Sequence, residues 1–209
     1  MLGPSHRTEP DLTVPPQERA DDAALIEQSW REPEKFAGLY DRHAASIYRY
    51  VARRLGDGAA DDVVAQTFLD AFRHRHRYDL SRGDARPWLY GIAANVIGKQ
   101  RRAEIRMWRA LARTGIDPVT EEFDDRADNR VSASAVQREL AAALADLTGG
   151  DRDVLLLVAW ADLSYEEVAA ALAIPVGTVR SRLNRARRKV SGALGGHDPT
   201  SLDEEMCHE

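Results

Sequence analysis

The residues best equipped for chemistry lie toward the C-terminal end, in residues 163–190. Ser164 and Glu167 have the S-x-x-E spacing of a capping box, which opens a short helix. Val168, Ala169 and Leu172 give that helix one apolar face, and Ala173-Ile174-Pro175 breaks it. Val179 and Leu183, four apart, then anchor a second helix. Arg180, Ser181, Asn184, Arg185 and Arg188 are left on its other faces, several of them pointing outward. Arginine grips guanine through paired hydrogen bonds, while serine and asparagine serve bases or phosphates. A short helix, a tight turn and a basic second helix form the helix-turn-helix plan for reading DNA. The bland alternative is a helical hairpin with a basic surface.

The net charge of −5 conceals a segregation that suits such a role. Residues 99–113 carry Lys99, Arg101, Arg102, Arg106, Arg109 and Arg113 against the single acid Glu104. Residues 176–190 carry Arg180, Arg182, Arg185, Arg187, Arg188 and Lys189 and no acid. Acids gather in residues 117–128 and 198–209 instead. Local basic stripes govern binding to a polyanion more than the total charge does. Catalytic and metal chemistry find little footing. Asp61 and Asp62 are adjacent, so on a helix they face different ways. The arginines that alternate with His74 and His76 would repel a cation, and the lone Cys207 excludes a disulfide framework or a multi-cysteine zinc site. The expectation is a protein without catalytic residues, metal, cofactor or small-molecule substrate.

The elements that must position these residues are helical. Among the 209 residues, 44% are hydrophobic and 30% charged, the balance of a folded globule. The longest apolar run, residues 154–161, is far short of the ~20 residues that span a membrane. The N-terminal stretch is polar and Pro-rich where a secretory signal would be apolar, so a cytoplasmic protein is expected. Residues 1–21 read as a disordered leader. From about Ala23, Phe36, Leu39, Tyr40, Ile47, Tyr50 and Val51 recur at helical spacing until Gly56-Asp57-Gly58. Asp61 and Asp62 suit the start of the next helix, which buries Val63, Val64, Phe68 and Phe72. A polar stretch over 73–84 precedes a third helix, which has Pro87 near its start and continues into the basic 99–113 stretch. Gly115, Pro118 and the acid cluster mark a linker. Val136, Leu140, Leu144 and Leu147 resume helical spacing, and Gly149-Gly150 stops it. The predicted fold is all-α: two small helical domains, 22–113 and 132–195, joined by a flexible acidic linker at 114–131 and followed by an acidic tail at 196–209.

Two sets of residues resemble a known family. Leu163-Ser164-Tyr165-Glu166-Glu167-Val168-Ala169 and Ile174-Pro175-Val176-Gly177-Thr178-Val179-Arg180-Ser181-Arg182-Leu183 resemble region 4, the promoter −35 binding domain, of the sigma-70 family. Asp61-Asp62-Val63-Val64 with Thr67-Phe68-Leu69 resembles region 2.2 of its extracytoplasmic-function group, and Arg86-Pro87-Trp88-Leu89-Tyr90-Gly91-Ile92-Ala93 with Asn95 resembles region 2.3. The resemblance implies a factor that binds core RNA polymerase through its beta-prime and beta subunits, directs it to a promoter and helps open the DNA. It assigns −35 contacts to Thr178, Arg180, Ser181, Asn184, Arg185 and Arg188. It assigns capture of an unstacked −10 base to the 78–85 loop (Tyr78, Arg82, Asp84) and Asn95, with Lys99, Arg101 and Arg102 on the single-strand backbone. Polymerase docking falls on Asp61, Asp62, Gln66 and Asp70, with Ala65-Gln66 where the family commonly has glutamine and an acid. Trp88 and Tyr90 are expected in the core, and the acidic linker would occupy the polymerase's RNA path. An anti-sigma protein is an expected further partner. Two other readings compete: a stand-alone helix-turn-helix regulator acting without polymerase, against which the region 2 motifs argue, and a nucleic-acid-processing enzyme, which would need clustered carboxylates for metal ions.

Overall fold

The structure, a computed structural model, describes residues 22–114 and 127–195. The leader, residues 115–126 of the linker and the tail with Cys207 lie outside the described residues. Every regular element among the described residues is helical. In chain order they are α1 (Asp22–Gln28), a 3-10 turn (Pro33–Phe36), α2 (Ala37–Leu55), α3 (Asp57–His74), a second 3-10 turn (Arg75–Arg77), α4 (Arg86–Lys99), α5 (Arg101–Thr114), α6 (Ala127–Asp146), α7 (Gly149–Ala161), α8 (Tyr165–Leu172) and α9 (Val176–Ala193).

α2, α3 and α4 pack on one another, with α1 lying against α2. Leu39, Ile47 and Val51 of α2 meet Val63 and Phe68 of α3 and Leu89, Ala93 and Ile97 of α4 in the interior. Gly56 ends α2 at φ 82°, a left-handed backbone that a side chain would strain. α3 therefore starts at Asp57, a turn before the expected Asp61-Asp62, and Asp57 supplies the acid of its first turn. It also runs through Arg73 and His74, which the sequence places in a polar connection. Pro87 sits in the first turn of α4, where its missing N–H costs nothing. α4 does not run on into the basic stretch: it closes at Gln100 (φ −96°, ψ 20°), and α5 restarts at Arg101.

In the second half, α9 packs against α6, α7 and α8. Leu144, Leu147, Val154, Leu157, Leu163, Val168, Val179, Leu183 and Val190 are buried there. α6 begins at Ala127, inside the stretch expected as linker. Gly149 and Gly150 open α7 rather than stop α6; Thr148 caps α7 by accepting the Asp151 N–H at 3.2 Å. The Ser164–Glu167 capping box is present with both hydrogen bonds made. Ala173 ends α8 in the left-handed conformation, φ 52°, which turns the chain into α9.

The two halves are in contact, which periodicity gave no reason to expect. α4 packs on α8, and α2 and α4 reach α7. The buried apolar residues of both halves form one continuous cluster. At the closest approach a Cβ on Gly91 would lie 2.2 Å from the Ala171 carbonyl oxygen, so only glycine lets α4 and α8 meet this way.

Candidate nucleic-acid interface

α9 presents its basic side to solvent because Val179, Leu183, Ala186 and Val190 take the inward stripe. Arg180, Ser181, Asn184, Arg185 and Arg188 are all exposed, and Thr178 is half-buried at the start of the helix. Ser181 donates its hydroxyl to the Thr178 carbonyl at 3.0 Å. Arg185 donates to Asp151 Oδ1 at 2.9 Å. Asp151 is nearly buried in the first turn of α7; burial pushes its carboxyl up, but the bonds with Arg185 and Thr148 hold it below the usual carboxylate range. Arg182 folds over Gly150, where a Cβ would come within 2.8 Å of its guanidinium. Asp151 and Gly150 thus set the stance of two α9 arginines. They lie thirty-four and thirty-two residues before the arginines they meet, and no local sequence signal marks them.

The second constellation surrounds the N-terminal end of α4. Tyr78 is buried, its ring 5.0 Å from that of Trp88, and its hydroxyl donates to the Arg82 carbonyl at 2.5 Å. Asp79 Oδ1 accepts from the Ser81 N–H at 3.1 Å and the Ser81 hydroxyl at 2.6 Å, and Asp79 Oδ2 accepts from Arg82 at 3.3 Å. Asp84 accepts the Arg86 N–H at 2.8 Å, so Asp84 acts in loop geometry and helix initiation. This leaves Ser81, Arg82 and Gly83 as an exposed tip. Asn95 is exposed on α4 about 14 Å further along, from the helical rise of 1.5 Å per residue. Lys99, Arg101 and Arg102 are exposed at the α4–α5 break and line a groove with Gln100, Ile105 and Arg106. Arg101 also lies against Gly149. Tyr90 is buried edge-on to Tyr50 at 5.2 Å.

On α3, Asp61 and Asp62 are exposed, whereas Gln66 and Asp70 are half-buried and joined by a 2.7 Å hydrogen bond from Gln66 Nε2. Tyr40 and Leu69 expose large apolar surface, and Tyr40, Ala44, Tyr48, Asp61 and Val64 line a groove between α2 and α3. Arg75 belongs to the scaffold: it stacks 3.9 Å over Phe72 and donates to the Phe72 and Ser29 carbonyls. Among the described residues, no group of His, Cys, Asp and Glu is placed to hold a metal, and no helix is long and apolar enough to cross a membrane.

Between the halves lies a buried ionic network. Arg54 donates to Glu104 Oε1, the Tyr50 hydroxyl and Asp153 Oδ1, each at 2.7 Å. Arg152 donates to Glu104 Oε2 at 3.0 Å and to the carbonyls of Leu144, Ala145 and Leu147. Arg54, Glu104 and Arg152 are essentially without solvent exposure, so each charge depends on its partners. Burial pushes the Asp153 carboxyl up, against the pull of Arg54. Arg86 adds a further link by donating to the Ala161 carbonyl at 2.7 Å.

A helix-turn-helix whose second helix bears a one-sided basic face, preceded by a helical bundle with a basic groove, is the arrangement of a nucleic-acid-binding protein. The families described as Sigma-70 region 2 and Sigma-70, region 4 match residues 39–114 and 137–190. The ECF RNA polymerase sigma factor SigL of Mycobacterium tuberculosis is 35% identical over 151 residues, covering 72% of this chain and 83% of SigL. SigC of the same species is 37% identical over 141 residues, covering 68% of this chain and 73% of SigC. The solved structure of CnrH, in complex with the cytosolic domain of CnrY, aligns with a TM-score of 0.57 at 27% identity, over 83% of this chain and 97% of CnrH. The chain belongs to the extracytoplasmic-function group of the sigma-70 family of RNA polymerase sigma factors.

Proposed function

We propose that α9 of this sigma factor reads the −35 element through Arg180, Ser181, Asn184, Arg185 and Arg188, with Thr178 at the helix start. The 78–85 loop, with Tyr78, Arg82 and Asp84, and Asn95 serve successive unstacked −10 nucleotides, and Lys99, Arg101 and Arg102 hold the strand backbone. Asp61, Asp62, Gln66 and Asp70, beside the exposed Tyr40 and Leu69, dock core polymerase. Residues 22–113 act as the polymerase and −10 domain and residues 132–195 as the −35 domain, tethered by the acidic segment. The factor works in the cytoplasm and catalyses nothing itself; the chemistry belongs to the polymerase. CnrH was solved with the cytosolic domain of CnrY; a polypeptide partner is inferred by that likeness, and the family resemblance implies that it is an anti-sigma factor. The observation that carries the reading is the division of α9 into an apolar stripe and an exposed face of arginine, serine and asparagine.

The promoter-engaged form must differ from the closed one. Elements 25 base pairs apart are separated by ~85 Å on duplex DNA, at 3.4 Å per pair. A compact body of this size is about 40 Å across. With α4 against α8, the halves cannot reach both elements, so engagement parts them. Run-off transcription with purified core polymerase on a promoter pool tests the assignment. Initiation at defined sites that depends on both elements supports it. Sequence-specific binding by the free chain, with no effect on polymerase, would favour a stand-alone regulator.

A further inference from the structure

Asp22, the first residue of α1, buries its carboxylate almost completely, at 1% exposure. Three nitrogen groups converge on it, two from neighbouring residues of α2 and one from the backbone where α4 begins. Arg42 Nη1 donates to Oδ1 at 3.1 Å. His43 Nε2 lies 2.8 Å from Oδ2, and the backbone N–H of Ala85 donates to Oδ2 at 3.0 Å. Packing α1 on α2 does not call for a buried charge; an apolar residue would serve as well or better. What the carboxylate adds is geometry at Ala85.

Ala85 is the residue at which the loop ends and α4 begins, and it is fully buried. Its N–H precedes the helical ladder and has no partner within α4. Asp22 supplies that partner from sixty-three residues away, while Asp84 takes the next N–H, that of Arg86. The loop's other bonds are internal: Tyr78 to Arg82, and Ser81 and Arg82 to Asp79. They fix the loop's shape, whereas the bond to Asp22 ties it to the α1–α2 body. Arg42 and His43 hold the carboxylate in turn, so the stance of the exposed Ser81–Gly83 tip passes through Asp22.

We propose that Asp22 is a positioning residue for −10 recognition, a strut from α1 that holds the 79–85 loop at the angle to α4 at which its tip meets the unstacked base. This rests on the assignment of the loop to the −10 element. The test uses holoenzyme reconstituted from core polymerase and the full chain, on promoters differing by single bases in the −10 or the −35 element. Discrimination is the ratio of run-off yields on matched and altered promoters. Asp22→Ala is expected to reduce −10 discrimination about tenfold, the effect of losing a charge-assisted buried hydrogen bond, and to leave −35 discrimination unchanged. Asp22→Asn is close in shape, guards against a folding defect, and keeps an oxygen for the Ala85 N–H; an intermediate loss is expected. On a background with Ser81 and Arg82 replaced by glycine, Asp22→Ala should cause no further loss. Equal falls in yield on all promoters with −10 discrimination intact would overturn the strut, because a merely structural residue behaves so. If the glycine-loop variant alone leaves −10 discrimination intact, the loop assignment falls and the strut with it.

Discussion

Opening the closed form should be tunable at Asp153. This carboxylate reaches Arg54 across the interface, and its side chain keeps 21% exposure. Asp153→Ala removes one charge-assisted link and leaves Arg54 still bound to Glu104 and the Tyr50 hydroxyl. A buried link of this type contributes ~1.5–3 kcal/mol. Partial exposure and relief of the carboxylate's desolvation both reduce that, so the net shift toward the open form is about 1 kcal/mol, or roughly fivefold. Arg152 would be the wrong residue to remove, because it also satisfies three carbonyls within its own half. Gly91→Leu acts sterically on the other side of the interface, where its Cβ would meet the Ala171 carbonyl oxygen at 2.2 Å, and should open the halves more completely. The assay is energy transfer between dyes at Asp41→Cys in α2 and Asn184→Cys in α9, both exposed positions, in a Cys207→Ser background. A longer mean distance is expected for both variants, larger for Gly91→Leu. Unchanged distances in both would refute the claim that this network and this close approach hold the closed state.

Replacing Arg180 or Arg188 by Ala should weaken −35 recognition by about 1–3 kcal/mol per lost base contact, measured as promoter selectivity of the holoenzyme. Asn95→Ala should impair initiation on duplex promoters more than on templates pre-melted at −10; equal losses on both would count against a role in strand capture. Asp151 has a carboxyl held below its ordinary value, so its contribution to stability is complete above about pH 4 and is lost as pH falls through the folded-state value. Thermal melting of Asp151→Asn should therefore depend less on pH in the acid range than that of the parent chain, and identical profiles would reject the pairing with Arg185.

Sequence order alone determined the parts with short-range causes. The capping box at Ser164 and Glu167, the break at Ala173–Pro175, the helix start at Pro87 and the apolar anchors Val179 and Leu183 depend on neighbours within one or two helical turns, and the structure shows all of them. The exposed face of α9 follows from the same periodicity, whereas the α4–α5 break interrupts a helix expected to run on. Boundaries set by competition between adjacent signals were less legible: α3 begins a turn early because Gly56 alone makes the break, and Gly149-Gly150 starts a helix because Thr148 caps it. Some relations had no sequence signature at all. Asp22 with Ala85, Asp151 with Arg185, Arg54 with Asp153 and Gly91 against Ala171 join residues from thirty-four to ninety-nine positions apart. Hydrophobic spacing states which side of a helix is buried, but not what buries it. Only tertiary packing decides which buried charge finds which partner, and those pairings tie Ala85 at the start of α4 to α1, Arg185 of α9 to α7, and the two halves to each other.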